Sequence, residues 1–164
     1  MSLAGVVFGA ASHAAALFGH RKARAWWTGR LLPAPEGPFD LWIHGASWGE
    51  FWMLEPLVRT WAASGQRVLI TFFSPSGIQG WQRYSAPDGV VAALVPPDFN
   101  PYVRRFVDRV QPKALLVLQT DLWPTLVREC LRRGIPYGLA FAHVPPGHRW
   151  WSVLGFGDRH LLRQ

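Results

Sequence analysis

Five short apolar runs, at residues 40–44, 67–73, 90–95, 114–118 and 136–142, alternate along this chain with four longer stretches of helical character. Those stretches fall at about 49–63, 76–85, 99–110 and 122–133. The alternation constrains the fold more than any other feature. Val68-Leu69-Ile70 and Ala114-Leu115-Leu116-Val117-Leu118 are apolar at every position, as strands are when both of their faces are covered. Strands that alternate with helices and need cover on two sides predict an α/β fold, a parallel sheet with helices on both faces. At 164 residues the chain has room for one such domain and not for two. A Pro/Gly-containing linker, Leu31 to Pro38, precedes it, so the domain is expected to run from 39 to 164 behind a separate segment 1–30.

In an open parallel sheet the ligand site lies beyond the carboxyl ends of the strands. Polar residues gather at those ends here. The first run ends in His44-Gly45-Ala46-Ser47-Trp48-Gly49-Glu50, a Gly/Ser turn with a carboxylate where the next helix starts. The second ends in Ser74-Pro75-Ser76-Gly77, the third in Pro96-Pro97-Asp98, the fourth in Gln119-Thr120-Asp121 and the fifth in Phe141-Ala142-His143. Ser74, Ser76, Asp98 and Asp121 are also ordinary helix N-cap residues, and an acid in the first turn of a helix, such as Glu50, also stabilises that helix. Capping, however, requires no common location for all of them. After the first turn, Leu54, Leu57, Val58 and Trp61 recur at helical spacing and predict an amphipathic helix bent at Pro56. His44 and His143 are conceivable metal ligands, but no third ligand and no zinc spacing accompany them. The 45–49 loop lacks the Gly-x-Gly-x-x-Gly spacing of a dinucleotide site.

A formal charge of +7 calls for an anionic partner: nucleic acid, anionic lipid or a phosphorylated substrate. The basic residues are scattered among aromatics without a Lys/Arg tract, which disfavours nucleic acid. The single Cys130 excludes an internal disulfide and lies in an apolar helical pattern that suits packing. Residues 1–19 contain no Asp, Glu, Lys or Arg and are followed by His20-Arg21-Lys22-Ala23-Arg24-Ala25-Trp26-Trp27. Charge placed after the apolar run argues against a cleaved signal. An Ala/Gly-rich segment with a basic and Trp-bearing collar predicts a helix on or in a membrane surface; a helix docked on the domain is the alternative.

The motifs His44 to Glu50, Thr71 to Gly77, Pro96-Pro97-Asp98 and Asp121-Leu122-Trp123-Pro124, in that order, together with Arg132-Arg133-Gly134-Ile135-Pro136, resemble the amino-terminal half of the 3-deoxy-D-manno-octulosonic acid (Kdo) transferases of lipopolysaccharide assembly. The similarity runs from about Lys22 to the end of the chain. It implies a membrane-associated helix followed by a Rossmann-like domain that receives a lipid A precursor. In that family a second such domain, which this chain does not contain, binds the donor CMP-Kdo.

The resemblance also implies roles. Glu50 maps onto the family's catalytic base, which takes the proton of the acceptor hydroxyl in an inverting transfer. Ser47, Gly49, Ser74, Ser76, Gly77, Asp121 and His143 would form the acceptor pocket, and no metal or cofactor is called for. Location at the cytoplasmic face of the inner membrane follows, and the half-enzyme is expected to be silent alone. The alternative is a non-catalytic module that binds acidic lipid at a membrane surface. Two departures bear on the acceptor. Asp121 stands where relatives carry Glu, with Gln119 two residues before it. A family arginine is either replaced by His143 or displaced to Arg149, and histidine lacks the guanidinium fork.

Overall fold

The structure, a computed structural model, describes residues 27–30, 33–119 and 123–142. Its elements are β1 (Leu41–Gly45), α1 (Trp48–Ala63), β2 (Val68–Phe72), α2 (Pro75–Trp81), β3 (Val90–Leu94), α3 (Asn100–Val110), β4 (Leu115–Leu118), α4 (Pro124–Arg132) and β5 (Tyr137–Ala140). The strands form one sheet in the order β3-β2-β1-β4-β5, every neighbouring pair parallel. Each apolar run and each helical stretch of the sequence overlaps one of these elements, and the architecture is the parallel α/β sheet that their alternation predicts, Rossmann-like as the resemblance implies.

Alternation along the central strands divides the core in two. Trp42, Leu69, Leu115 and Val117 face α3 and α4, where Val103, Phe106, Val107, Val110, Leu126 and Cys130 close over them. Ile43, Val68, Ile70, Phe72 and Leu118 face α1 and α2 and meet Phe51, Leu54 and Val58. Strands covered on both faces account for the continuous apolar runs. Cys130 is fully buried, and burial pushes its thiol up to about 12, so it is a packing residue.

The inward stripe of α1 differs from the predicted one. Phe51, Leu54, Glu55 and Val58 are buried, whereas Leu57 is 41% exposed. The helix continues through Pro56, which lies on the solvent side, where water can serve the carbonyl the proline leaves without a donor.

The linker is also more ordered than its composition implies. Residues 33–38 are strapped to the domain: Gly37 N donates to Arg109 O (3.0 Å), Arg109 Nε to Ala34 O (2.5 Å), and Arg67 to the carbonyls of Pro38 (2.7 Å) and Glu36 (2.9 Å). A Cβ on Gly37 would fall 2.1 Å from Val110 O, so this close approach requires glycine. Residues 1–26, with the apolar segment and most of its collar, lie outside the described residues. Residues 27–30 are helical, with Trp27 and Arg30 buried. Among the described residues no helix is long and apolar enough to cross a membrane, so the structure gives the proposed membrane helix no support.

Candidate functional site

β1 and β4 are neighbours at the centre of the sheet, yet the chain leaves β1 for α1 on one face and β4 for α4 on the other. The divergence opens a crevice at their carboxyl ends, the switch point at which such sheets bind ligands. The Gly/Ser turn enters this crevice from β1. Ser47 is the N-cap of α1, with extended backbone, and its Oγ accepts from Glu50 N at 3.4 Å. The Glu50 carboxylate folds back so that Oε2 accepts from Ala46 N at 2.5 Å. Ser47-Trp48-Gly49-Glu50 is thus a capping box whose acid reaches one residue further back than usual. Glu50 is half-buried, and its Oε1 accepts no hydrogen bond from the described residues.

Gly45 leaves room for this geometry. A Cβ there would lie 3.2 Å from Glu50 Oε2 and 3.0 Å from Leu118 Cδ1, where β4 ends. Gly49, by contrast, is exposed, and an added Cβ would meet only Ser47 Oγ at 3.9 Å. Its open flank is free for a ligand to approach the backbone.

The second loop is clipped to the first through Phe73 N to Gly45 O (3.2 Å) and Ser74 N to Ala46 O (2.9 Å). Ser47, Gly49, Glu50, Ser74 and Ser76 therefore belong to two adjoining loops. Ser74 caps α2, accepting from Ser76 N at 3.3 Å, and its hydroxyl lies 2.7 Å from that of Ser76, which is exposed. Gly77 is buried, and a Cβ on it would come within 2.3 Å of the Phe72 ring, so its observed part is to seat α2 on β2. Gly80 does the same for Trp48, whose ring would lie 2.3 Å from an added Cβ. Trp48 stacks on Phe51 with centroids 5.0 Å apart and ties the Gly/Ser turn to the aromatic cluster beneath α1.

His44 is not on the rim. It is fully buried on the α3/α4 side of β1, while Gly45 and Glu50 occupy the other side. Trp123 Nε1 donates to His44 Nε2 (3.1 Å), and His44 Nδ1 lies 3.0 Å from Thr71 Oγ1, which also accepts from Trp42 Nε1 (2.7 Å). These bonds fit the tautomer with its proton on Nδ1. Trp123 in turn stacks on Phe73, centroids 5.1 Å apart. The chain Trp42-Thr71-His44-Trp123-Phe73, buried at its first three residues and half-buried at Trp123 and Phe73, is a polar and aromatic wall behind the crevice.

Asp98 also takes an unforeseen part. It caps α4, not the helix that follows it: Oδ2 accepts from Thr125 N (3.1 Å) and Oδ1 from Leu126 N (3.0 Å), while Thr125 Oγ1 donates to Asp98 O (3.0 Å). Burial raises its carboxyl above the usual range, against the pull of those N–H groups. The signal in the sequence was Trp123-Pro124, a helix start with no capping side chain of its own. Gln119 and Phe141, at the ends of β4 and β5, adopt positive φ of 55° and 58°, a conformation that costs non-glycine residues energy and clusters at functional rims. Asp121 and His143 lie outside the described residues. Among those described, no three His, Cys, Asp or Glu side chains cluster as metal ligands would.

The sequence profile of the 3-deoxy-D-manno-octulosonic-acid transferase (kdotransferase) family matches residues 14–154. The chain belongs to the Kdo transferase family. It is similar to the 3-deoxy-D-manno-octulosonic acid transferase of Haemophilus influenzae, with 34% identity over 125 residues, 74% of this chain and 28% of that protein. The Bordetella pertussis enzyme of the same name is 32% identical over 79% of this chain and 29% of its own length. That of Aquifex aeolicus is 35% identical over 53% of this chain and 24% of its own. The chain thus matches under a third of each curated relative, and what it matches is the amino-terminal Kdo transferase domain. The matched span covers every described residue of both loops.

Proposed function

We propose that this chain is the acceptor-binding part of a Kdo transferase, an inverting glycosyltransferase of the two-domain GT-B architecture that moves Kdo from CMP-Kdo to a lipid A precursor. The observation that carries the reading is the Glu50 carboxylate, anchored through Oε2 by Ala46 N–H at the switch point with Oε1 uncommitted. An acceptor hydroxyl placed against Oε1 gives up its proton to the carboxylate as its oxygen bonds to the anomeric carbon. The bond from that carbon to the phosphate oxygen of CMP breaks, and its electron pair leaves with CMP. Ser47, Ser74 and Ser76 offer hydroxyls to the acceptor sugar, and Gly49 leaves its backbone open to it. Asp121 and His143, which follow β4 and β5 in the sequence, complete the proposed acceptor set on the family resemblance. Gly77 supports the second loop from beneath. The donor is held by a second domain that closes the cleft from the other side. A peripheral position at the cytoplasmic face of the inner membrane fits the charge of +7 and the exposed Trp52, Met53 and Leu57 of α1.

The test joins the chain to a donor-binding half and follows Kdo transfer to a lipid A precursor. Glu50→Gln is the informative variant, because glutamine still accepts from Ala46 N–H and keeps the capping box but takes no proton. Turnover should fall by about 10²- to 10⁴-fold while thermal unfolding stays in place. Undiminished transfer would remove Glu50 from the mechanism. Binding to anionic vesicles with no transfer by the joined protein would favour the non-catalytic lipid-binding module.

A further inference from the structure

Six of the described residues hold a positive φ, and their places in the fold sort them. Gly65, Gly89 and Gly134 stand at the turns after α1, before β3 and after α4, where glycine takes the left-handed backbone at no steric cost. Gln111, at 44°, is the left-handed C-cap of α3, an ordinary way for a helix to end, and its N–H returns to Val107 O. Gln119, at 55°, and Phe141, at 58°, belong to neither class. Each follows directly on a strand, β4 or β5, at the carboxyl edge of the sheet. A side chain costs energy in that backbone region where glycine would not. Residues of this kind persist where something beyond the turn requires them.

The two stand side by side. Leu118 pairs with Ala140, and Gln119 N donates to Ala140 O at 2.7 Å, so Gln119 and Phe141 occupy one level on adjoining strands. On the other side of β4, His44 pairs with Val117, which brings Ala46 to the level of Gln119. Ala46 N–H is the group that holds the Glu50 carboxylate. Neighbouring strands lie about 5 Å apart, so the Phe141 backbone is about 10 Å from that of Ala46, with Gln119 between them. One ligand can therefore meet Glu50 and both side chains together.

The domain makes little use of either side chain. Phe141 is 59% exposed and stacks on no described ring. Gln119 is exposed, and its amide makes no hydrogen bond with a described residue. An amide beside an aromatic ring complements a sugar, which presents hydroxyls at its edge and C–H groups on its faces. Resting on the acceptor-binding reading above, we infer that Gln119 and Phe141 are specificity-determining residues of the acceptor site. The amide meets a sugar hydroxyl, and the ring covers a C–H surface, either the sugar's own or that of an acyl chain it bears.

The test titrates the intact chain with a lipid A precursor in detergent micelles and with the same precursor stripped of its acyl chains, and follows thermal unfolding of each variant alongside. Phe141→Gly should weaken binding about five- to thirtyfold while unfolding at the same or a higher temperature, because glycine adopts this backbone without strain. Phe141→Trp, which keeps an aromatic surface, should bind within about threefold of the parent. Gln119→Gly should weaken binding about two- to tenfold, again without loss of stability. Gln111→Gly relaxes the same kind of backbone at the opposite edge of the sheet and should leave binding unchanged. A loss by Phe141→Gly toward both forms of the precursor assigns the ring to the sugar, and a loss toward the acylated form alone assigns it to the acyl chain. Equal binding by the parent and both glycine variants overturns the role of the pair and leaves the acceptor-binding reading standing. A parent chain that binds neither form overturns both. Glycine variants that unfold at lower temperature would show that the side chains serve the fold, and would overturn the pair's role as well.

Discussion

Removal of the Asp98 carboxylate should cost this domain far more than loss of an ordinary surface acid. Helix α4 begins with Pro124, which has no N–H, and its N-cap residue Trp123 supplies no side-chain acceptor. The next two donors, Thr125 N and Leu126 N, are bound by the two oxygens of Asp98 at 3.1 and 3.0 Å. Thr125 and Leu126 are 6% and 1% exposed, so little water reaches these groups if the carboxylate is lost. Each buried N–H left without a partner costs about 1–3 kcal/mol, so Asp98→Ala should lose about 2–4 kcal/mol once relief of the buried charge is set against the pair. Asp98→Asn keeps one acceptor and should lose about 1–2 kcal/mol.

Urea unfolding, followed by fluorescence and circular dichroism at unchanged m, measures both. The sign of a pH dependence adds a second readout. Burial raises the folded-state pKa of Asp98, so its contribution is present below the unfolded carboxylate value and is lost as pH rises through the folded one. The gap between parent and Asp98→Asn should therefore widen as pH falls through the carboxylate range. A loss below about 0.5 kcal/mol in Asp98→Ala would show that α4 does not depend on this cap and would refute the accounting.

Gly80→Ala places a methyl 2.3 Å from the Trp48 ring and should cost about 1–3 kcal/mol, whereas Gly49→Ala meets nothing closer than 3.9 Å and should be nearly neutral in thermal unfolding. If Gly49 admits the acceptor sugar, that same stable variant should raise KM for acceptor in the joined enzyme. Glu129, held by Arg132 and Arg133, and Glu55, held by Tyr84 and Arg59, both have carboxyls below the usual range. Their stabilisation is present above the unfolded carboxylate value and is lost as pH falls through the lowered ones, so Glu129→Gln should flatten the acid limb of a stability-against-pH curve measured by urea titration.

What the sequence made legible follows from how local each cause is. Strands buried on both faces announce themselves as continuous apolar runs, and the order of elements follows from their alternation. Side choice on α1 was harder, because Phe51, Trp52, Met53, Leu54, Leu57, Val58 and Trp61 spread apolar side chains over most of its circumference. The direction in which α1 leaves β1, set by Ser47 and Gly45, decides that Phe51 turns inward and Leu57 outward. His44 looked like a rim residue because it ends an apolar run. Its register opposite Thr71 and Val117 on the central strand buries it instead. The Asp98 cap spans 27 residues and exists only once β3 and β4 are in place, so nothing around Asp98 could announce it, and only the uncapped start at Trp123-Pro124 pointed to a distant acceptor.

Glu50 was open to two readings, a helix-capping acid and a proton acceptor, and the geometry shows why they need not compete. Capping uses Oε2, which Ala46 N–H holds at 2.5 Å; proton transfer would use Oε1. A carboxylate fixed at one oxygen has already lost the rotamer freedom that a free glutamate would give up on reaching the transition state. The cap would then be part of how the base is positioned. Glu50→Ala conflates the two roles by leaving Ala46 N–H without its acceptor as well as removing the base. Glu50→Gln separates them. Gly45 helps to hold this geometry although it carries no functional group: a Cβ there would lie 3.2 Å from Oε2, so the carboxylate would have to give by a few tenths of an ångström.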